Sequence, residues 1–237
     1  MSKTLLPFKF KKFSITHEKC AMKIGVDGVL IGAWTDTENP IEILDIGTGS
    51  GLISLMMQQK YSNASVTAIE PNEIAFEEAK ENFKNAPFEN QPQIELTNLK
   101  NFKTSKKFDL IISNPPFFEE AVPSGDLNRD QARQAKFLPL QEFIQISTNL
   151  LSIKGCFNFV YPTQQTAQIL KLAKQADLHL AYTTTVFPNN NKNSKRTLFS
   201  FTKTAQVLHA DELIIKNSDG DFTNKYRDLT KDFYINF

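Results

Sequence analysis

The residues best suited to chemistry form one short segment, Asn114-Pro115-Pro116-Phe117. Prolines have a fixed φ and no backbone N–H, so we expect a stiff segment whose carbonyl groups point outward. The side-chain oxygen of Asn114 and the carbonyl of Pro115 could then accept both hydrogens of one planar amino group. Such bonds favour a tetrahedral nitrogen and free its lone pair for attack on an electrophilic methyl group. Phe117 offers a face on which a base could stack.

A second segment, Asp45-Ile46-Gly47-Thr48-Gly49-Ser50-Gly51, joins an apolar run to a helical one. Alternating glycines permit positive φ and let a ligand approach bare backbone. A P-loop is excluded because Leu52-Ile53 follows the last glycine, and Leu52 also breaks the dinucleotide fingerprint. The remaining pattern resembles the S-adenosylmethionine loop of class I methyltransferases; the alternative is a structural strand–helix turn. The predicted cofactor contacts in this segment are Asp45, Gly47, Thr48, Gly49 and Gly51.

Three more polar residues complete the predicted cofactor site. Glu70 ends the next apolar run, 19 residues after Gly51, close to the spacing at which doubly wound folds place an acid on a ribose. A carboxylate can accept hydrogen bonds from two vicinal hydroxyls. Asn98 follows the third run, where its amide could contact an adenine edge or only shape a turn. Asn114 is counted with both the cofactor and the catalytic residues.

The elements that must position these residues alternate along the chain. Strands are predicted at 41–46, 65–70, 94–97, 108–113, 155–161, 178–187 and 196–202, and helices at 29–34, 52–59, 71–85, 140–151 and 163–176. This order predicts an α/β fold: a Rossmann-like, doubly wound, mostly parallel seven-stranded sheet whose last pair is antiparallel. Open α/β sheets bind ligands at the carboxyl ends of their strands, so both motifs should meet in one crevice. We expect one structural domain, 35–237, with a basic extension, 1–34, packed by the cofactor site.

Composition limits the class of protein. With 237 residues, 41% hydrophobic and 22% charged, the chain suits a single globular domain. It contains neither an apolar run of membrane-spanning length nor the apolar core of a signal peptide. Cys20 and Cys156 are far apart and three histidines are scattered, which predicts a reducing, cytoplasmic location and no metal site.

Charge is distributed unevenly despite a net value of +1. Lysines concentrate in 1–25 and, with Arg196, in 188–204, whereas 70–95 is acidic. A protein with one basic surface and an acidic surface opposite can bind a polyanion in a single orientation. The common alternative is that these lysines only form solvated surfaces. Candidate phosphate contacts are Lys11, Lys12, Arg129, Arg133, Lys192, Lys195 and Arg196. The alternating aromatic and basic residues of 8–13 predict a strand with one apolar and one cationic face, and Asp27-Gly28 predicts a turn.

The two motifs resemble those of amino-methyltransferases acting on adenine N6, guanine N2 or a protein glutamine. The run from Phe10 through Trp34, which contains Cys20-Ala21-Met22-Lys23, resembles more narrowly the bacterial valine-tRNA (adenine-37-N6)-methyltransferases. Asn85-Ala86-Pro87-Phe88 and Arg129-Asp130-Gln131-Ala132-Arg133 share this narrower resemblance, which spans roughly residues 8–205.

The resemblance implies methyl transfer from S-adenosyl-L-methionine to the adenine beside the anticodon of a valine tRNA. By motif match, Gly47, Gly49, Gly51 and Glu70 would hold the cofactor and residues 114–117 the base. Many relatives have tyrosine at the position of Phe117 and aspartate at that of Asn98. The same acceptor pair would serve guanine in ribosomal RNA or a protein glutamine, and a catalytically silent RNA-binding module is a further alternative. We expect a monomer that binds tRNA and that binds neither a metal ion nor a membrane.

Overall fold

The computed structural model describes residues 6–18, 24–116 and 138–237 of the chain. A short hairpin comes first, formed by β1 (Phe8–Lys9) and β2 (Ser14–Ile15). The first half then contains α1 (Val26–Trp34), β3 (Glu42–Ile46), α2 (Leu52–Lys60), β4 (Ser65–Glu70), α3 (Glu73–Asn85), β5 (Gln93–Leu96) and β6 (Phe108–Ser113). The second half contains α4 (Leu140–Leu150), β7 (Leu151–Pro162), α5 (Thr166–Gln175), β8 (His179–Asn189), β9 (Arg196–Thr202), β10 (His209–Lys216) and α6 (Asn224–Thr230).

The main sheet has the strand order β10-β8-β9-β7-β6-β3-β4-β5. All strands from β7 to β5 in this order pair in parallel, and β9 is antiparallel to both β7 and β8. The predicted α/β fold and its antiparallel last pair are therefore confirmed. An eighth strand, β10, is added in parallel to β8. Only Leu213 of β10 is buried and residues 209–212 are exposed, so this edge strand lacks the buried apolar run that is typical of the central strands.

The sheet separates two apolar layers because successive residues of a strand face opposite sides. Within β3, Ile43 packs into the cluster that contains Leu55 of α2. Its neighbour Leu44 packs into the opposite cluster, with Phe143 of α4. Both clusters lie against the central strands, so β3 is held from both faces and its carboxyl end is a rigid place to begin a binding loop.

The N-terminal hairpin corrects the strand predicted at 8–13. The chain reverses within this segment, where the Phe10 N–H donates to the Phe13 carbonyl at 2.8 Å. Reversal lets both rings enter the core, where each is 4% exposed, and leaves Lys11 and Lys12 exposed at the tip. An extended strand of this length could not bury both rings, because residues 10 and 13 would face opposite sides.

The turn predicted at Asp27-Gly28 is also wrong, because both residues belong to α1, which begins after Gly25. The glycines of α1 serve helix packing instead. A Cβ placed on Gly32 would lie 2.6 Å from the Met56 Sδ of α2, so glycine lets the two helices approach closely without displacing the Met56 side chain.

The described residues of the predicted extension share the core of the main domain. Phe13 and Ile15 lie in the same apolar cluster as Leu30 of α1 and Ile43 of β3.

Across residues 6–18, 24–116 and 138–237, no helix has the length and apolar character needed to span a membrane.

Candidate functional site

The glycine loop and the Asn-Pro-Pro segment start side by side. Ile46 of β3 pairs in register with Ser113 of β6, and the Ser113 hydroxyl donates to the Ile46 carbonyl at 2.8 Å. Gly47 and Asn114 are the next residues of these paired strands, so their backbones leave the sheet roughly 5 Å apart. The predicted meeting of the two motifs in one crevice is confirmed.

The loop uses positive φ at three glycines: +70° at Gly47, +58° at Gly49 and +88° at Gly51. A Cβ on Gly47 or Gly49 would meet nothing within 4 Å, whereas one on Gly51 would lie 2.4 Å from the Phe83 ring of α3. The first two glycines therefore border open space in which a ligand can lie against the backbone, and Gly51 lets α2 start beneath α3.

Asp45 lies beneath the loop with no exposed surface. Its Oδ2 accepts hydrogen bonds from the Thr48 hydroxyl at 2.6 Å and the Ser54 hydroxyl at 2.7 Å. Burial raises the pKa of this carboxyl to about 6, against the lowering effect of the two hydroxyls. Since Asp45 and the 6%-exposed Thr48 bond to each other, both residues are placed to hold the loop from below.

Glu70 connects the loop to α3. One carboxylate oxygen accepts the Gly49 N–H at 2.9 Å and the other accepts the Asn72 N–H at 2.9 Å. Gly47 and Thr48 donate their N–H groups to the Ile69 carbonyl, so the amides of residues 47–49 already have partners. Each oxygen of Glu70 keeps a second acceptor site, which is what bonds to two ribose hydroxyls would require.

A cavity of about 260 Å³ opens beside these residues, between the carboxyl ends of the strands and α4. Its polar and loop lining includes Gly47, Thr97, Asn98, Pro115 and Pro116, and its apolar lining includes Ile46, Ile69, Leu99, Phe143 and Tyr161. The side-chain oxygen of Asn98 accepts the Asn101 N–H at 2.9 Å. Asn98 therefore shapes a turn, which is one of the two alternatives predicted for it. It also lines the cavity, so contact with an adenine edge stays a prediction.

Asn114 carries a buried acceptor without a partner. Its Oδ1 is shielded from solvent and receives no hydrogen bond from the described part of the chain. A buried acceptor in this state is unfavourable by about 1–3 kcal/mol until a donor reaches it. Pro115 and Pro116 line the cavity next to it. Phe117 lies outside the described residues, as do Arg129 and Arg133.

The remaining cationic candidates do not form one patch of equivalent residues. Lys12, Lys192 and Lys195 are exposed. Lys11 instead donates from Nζ to the main-chain oxygens of Lys231 and Phe237, so it holds the C-terminal segment. Arg196 pairs through Nε with Asp27 at 2.8 Å. Among the described residues, no group of three or more His, Cys, Asp or Glu side chains could hold a metal ion.

Asn82 of α3 supports the loop, although no feature of the sequence identified it as a functional residue. Its Oδ1 accepts from both the N–H and the hydroxyl of Thr16, and its Nδ2 donates to the carbonyls of Thr16 and Ser50. It is 3% exposed. An asparagine in an otherwise helical run carries no local signal of such contacts, because its partners lie 66 and 32 residues away.

Comparisons with known proteins find a matching family model and several relatives. Residues 29–180 match the family model described as "Methyltransferase small domain". The chain is 41% identical to a tRNA1(Val) (adenine(37)-N6)-methyltransferase of Christiangramia forsetii, over 97% of this chain and 98% of that protein. Relatives of the same description from Phocaeicola vulgatus and Mannheimia succiniciproducens are 36% and 35% identical, each over 97% of this chain, and are themselves covered to 97% and 95%.

Solved structures share the fold at low sequence identity. A predicted O-methyltransferase from Agrobacterium tumefaciens aligns with a TM-score of 0.67 and 17% identity, over 87% of this chain and 96% of that one. The structure of P. horikoshii TYW2 in complex with MeSAdo aligns with a TM-score of 0.62 and 13% identity, over 86% of this chain and 73% of that one.

Proposed function

We infer that this chain, which belongs to the tRNA1(Val) (adenine(37)-N6)-methyltransferase family, transfers a methyl group from S-adenosyl-L-methionine to the exocyclic N6 of adenine-37 in a valine tRNA. The observation that carries this function is the register of β3 and β6. It sets the glycine loop beside a buried, unpartnered Asn114 oxygen. A cofactor loop and an amine acceptor in one crevice are the two parts that methylation of an amine needs.

The residues present fit the cofactor. Open space borders Gly47 and Glu70 keeps free acceptor sites, so we propose that the backbone of this loop and the Glu70 carboxylate hold the ribose end. The apolar part of the cavity, bordered by Ile69 and Leu99, suits a purine ring. Asn98 lines the same cavity and would face its edge. When bound, the cofactor supplies an electrophilic methyl group on a sulfonium.

Asn114 and Pro115 act on the adenine amine. Its two N–H groups would donate to the Asn114 Oδ1 and the Pro115 carbonyl, which makes the nitrogen more tetrahedral and exposes its lone pair. The bound cofactor would supply the methyl group, with its carbon–sulfur bond replaced by the new N–C bond, and one amine proton would be lost to solvent. The developing positive charge on nitrogen faces two fixed carbonyl oxygens, and such preorganised dipoles stabilise a transition state. We propose that Phe117 stacks on the base.

The exposed lysines would make the contacts with the phosphates of the tRNA. We propose that Lys12, Lys192 and Lys195 approach the tRNA backbone, where lysines contribute salt-dependent affinity without reading sequence. Arg129 and Arg133 remain proposed contacts on the basis of the sequence alone. The proposed tRNA substrate suits a cytoplasmic enzyme, and we propose that it acts as a monomer.

The test is methyl transfer from labelled S-adenosylmethionine into two unmodified valine-tRNA transcripts, one with A37 and one with G37, followed by nucleoside analysis. We expect N6-methyladenosine from the first transcript and no label in the second. When total RNA or total protein is the acceptor in the same assay, N2-methylguanosine would instead support the guanine alternative and labelled protein the glutamine alternative. Cofactor binding without any transfer would support the silent module.

The Asn114→Ala variant tests the role of the acceptor. We expect kcat to fall on the order of 100-fold, as for loss of one fixed donor or acceptor to a transition state, while the cofactor Kd stays nearly unchanged. Asn90→Ala is the matched control, because Asn90 is exposed and its Nδ2 donates only to the Ser62 carbonyl. Parallel loss of cofactor binding and transfer in Asn114→Ala would contradict the assigned role.

A further inference from the structure

The first turn of α1 lies close to the Asn-Pro-Pro segment and to the start of α2. A Cβ placed on Gly28 would lie 3.2 Å from the Leu52 Cδ2, one residue after the glycine loop, and 3.9 Å from the Asn114 Nδ2. Gly28 therefore faces the Asn114 amide across a space about large enough for one methyl group. A displacement of this turn would give the amide room to rotate and would release its oxygen from a fixed direction.

This turn has weak support from its own sequence. The N-cap position of α1 is Gly25, which provides no side-chain hydrogen bond. The bond that closes the turn, from the Val29 N–H to the Gly25 carbonyl, is 3.4 Å long, beyond the usual range for such bonds. Tertiary contacts must therefore contribute much of what holds the first turn in place.

One such contact reaches across the fold to the sheet. The Asp27 Oδ2 accepts a hydrogen bond from the Arg196 Nε at 2.8 Å, with the two side chains 27% and 30% exposed. Arg196 begins β9, where it is in register with Pro162 of β7 and Val186 of β8. Its Nη1 also donates to the Lys195 carbonyl. The guanidinium is thus anchored to a strand that is paired on both sides.

We propose that Asp27 and Arg196 are a pair of positioning residues that hold the first turn of α1 in place beside Asn114. The pair thereby fixes the direction of the acceptor oxygen. It acts on the rate of methyl transfer through Asn114 and not on the affinity for RNA. This proposal rests on the function proposed above, and it gives Arg196 a different role from the phosphate contact expected from the sequence.

The test compares Asp27→Asn, Arg196→Gln and the double variant in steady-state methylation of the A37 transcript. We expect each single variant to lower kcat about 10-fold, since loss of precise orientation has effects of this kind. KM for tRNA and its salt dependence should stay unchanged. The double variant should be no slower than either single variant, because both changes remove the same interaction. Arg196→Lys, which can keep the ion pair, should recover most of the loss.

Asp211→Asn is the matched control, since it removes an ion pair with Lys225 in the β10–α6 region. It should leave kcat unchanged. The proposal is overturned if Arg196→Gln mainly raises KM for tRNA in a salt-dependent way, if the two changes multiply in the double variant, or if kcat does not fall. Thermal unfolding of each variant excludes a general loss of structure, because a merely destabilised enzyme would not show the kcat-specific pattern or the lysine recovery.

Hydrogen–deuterium exchange separates this proposal from the proposed function. Residues 25–30 should exchange faster in Asp27→Asn and Arg196→Gln than in the wild-type protein. If the wild-type protein methylates no tRNA, the proposed function fails, and this measurement still tests the pair. Unchanged exchange in both variants would show that the ion pair does not hold the turn.

Discussion

At the scale of single residues, the site depends on groups held in unfavourable states. Asp45 is fully buried with only two hydroxyl donors on Oδ2, while its Oδ1 has no partner among the described residues. Asn114 likewise keeps an unpartnered acceptor. The two cases differ in position: Asn114 directly precedes Pro115, which lines the cavity, whereas Asp45 is buried beneath the loop.

Asp45 should make stability depend on pH. Its pKa is about 6 in the folded protein and 3.8 when unperturbed, so between these values the folded state holds a proton that the unfolded state has released. The free energy of unfolding should therefore fall as pH rises from about 4 to about 6 and level off above, by up to roughly 3 kcal/mol. In urea denaturation from pH 4 to 7.5, Asp45→Asn should lose this component. Equal slopes for both proteins would contradict the assignment.

Gly51 should not tolerate a side chain. Its φ of +88° strains any L-residue, and a Cβ would also collide with the Phe83 ring. We expect Gly51→Ala to lower the free energy of unfolding by about 2–4 kcal/mol, from strain and overpacking together, and to abolish cofactor binding measured by calorimetry.

Gly220 provides the control for strain alone. Its φ of +90° is nearly the same, but a Cβ there would meet nothing within 4 Å. Gly220→Ala should lower the free energy of unfolding by about 1 kcal/mol and leave the cofactor Kd unchanged. Equal effects of the two substitutions would show that the packing of α2 beneath α3 does not matter.

At the scale of elements, α3 supports the glycine loop through Asn82. This side chain joins the segment after the hairpin, at Thr16, to the Ser50 carbonyl of the loop. Three elements that are distant in the chain thus meet at one amide. The loop is therefore supported from α3 as well as from β4, through Glu70.

Asn82→Ala should loosen this junction. The Thr16 N–H and the Ser50 carbonyl would lose their buried partner, and we expect the free energy of unfolding to fall by about 2–4 kcal/mol. Cofactor affinity should weaken as well, which calorimetry would detect. Asn90→Ala, at an exposed asparagine with one hydrogen bond, should stay within about 0.5 kcal/mol of the wild-type protein. A normal cofactor Kd in Asn82→Ala would show that α3 does not support the loop.

At the scale of the whole molecule, the two ends of the chain pack together. Phe8 and Phe10 of the hairpin contact the Tyr234 ring, and the Lys11 N–H donates to the Phe233 carbonyl at 2.8 Å. With the Nζ bonds of Lys11, these contacts join the hairpin to the C-terminal segment, and Phe10 and Phe233 lie in the same apolar cluster as Leu30 of α1. The position of α1 at the site therefore depends partly on residues near both ends.

Lys11 and Lys12 should behave differently although they are neighbours. Lys11→Met should lower the free energy of unfolding by roughly 1 kcal/mol, because main-chain oxygens lose a charged donor at an exposed site. Lys12→Met should leave stability unchanged and weaken tRNA binding, with a shallower salt dependence. Thermal unfolding and filter binding at several salt concentrations would measure both. The reverse pattern would contradict the roles given to the two lysines.

Local signals determined most of the architecture and both motifs. The helix predicted at 52–59 is α2, Leu52–Lys60, and the strands predicted at 65–70 and 108–113 are β4 and β6 without change. These elements are readable because apolar runs, glycine turns and prolines act within a few residues of one another. Strand alternation with helices then places the ends of β3 and β6 at one edge, which brings Gly47 and Asn114 together before any side-chain contact is considered.

Only the tertiary structure decided which side chains support that crevice. The pairing of Asp27 with Arg196 spans 169 positions, and that of Lys11 with Phe237 spans 226. Such partners have no fixed spacing, because they are set by strand order and by how α1 and the chain ends pack on the sheet. The same is true of β10, whose single buried residue carries no pattern, and of Asn82, whose contacts depend on three converging segments. Sequence thus determined where the two motifs meet, and long-range packing decided which side chains surround them.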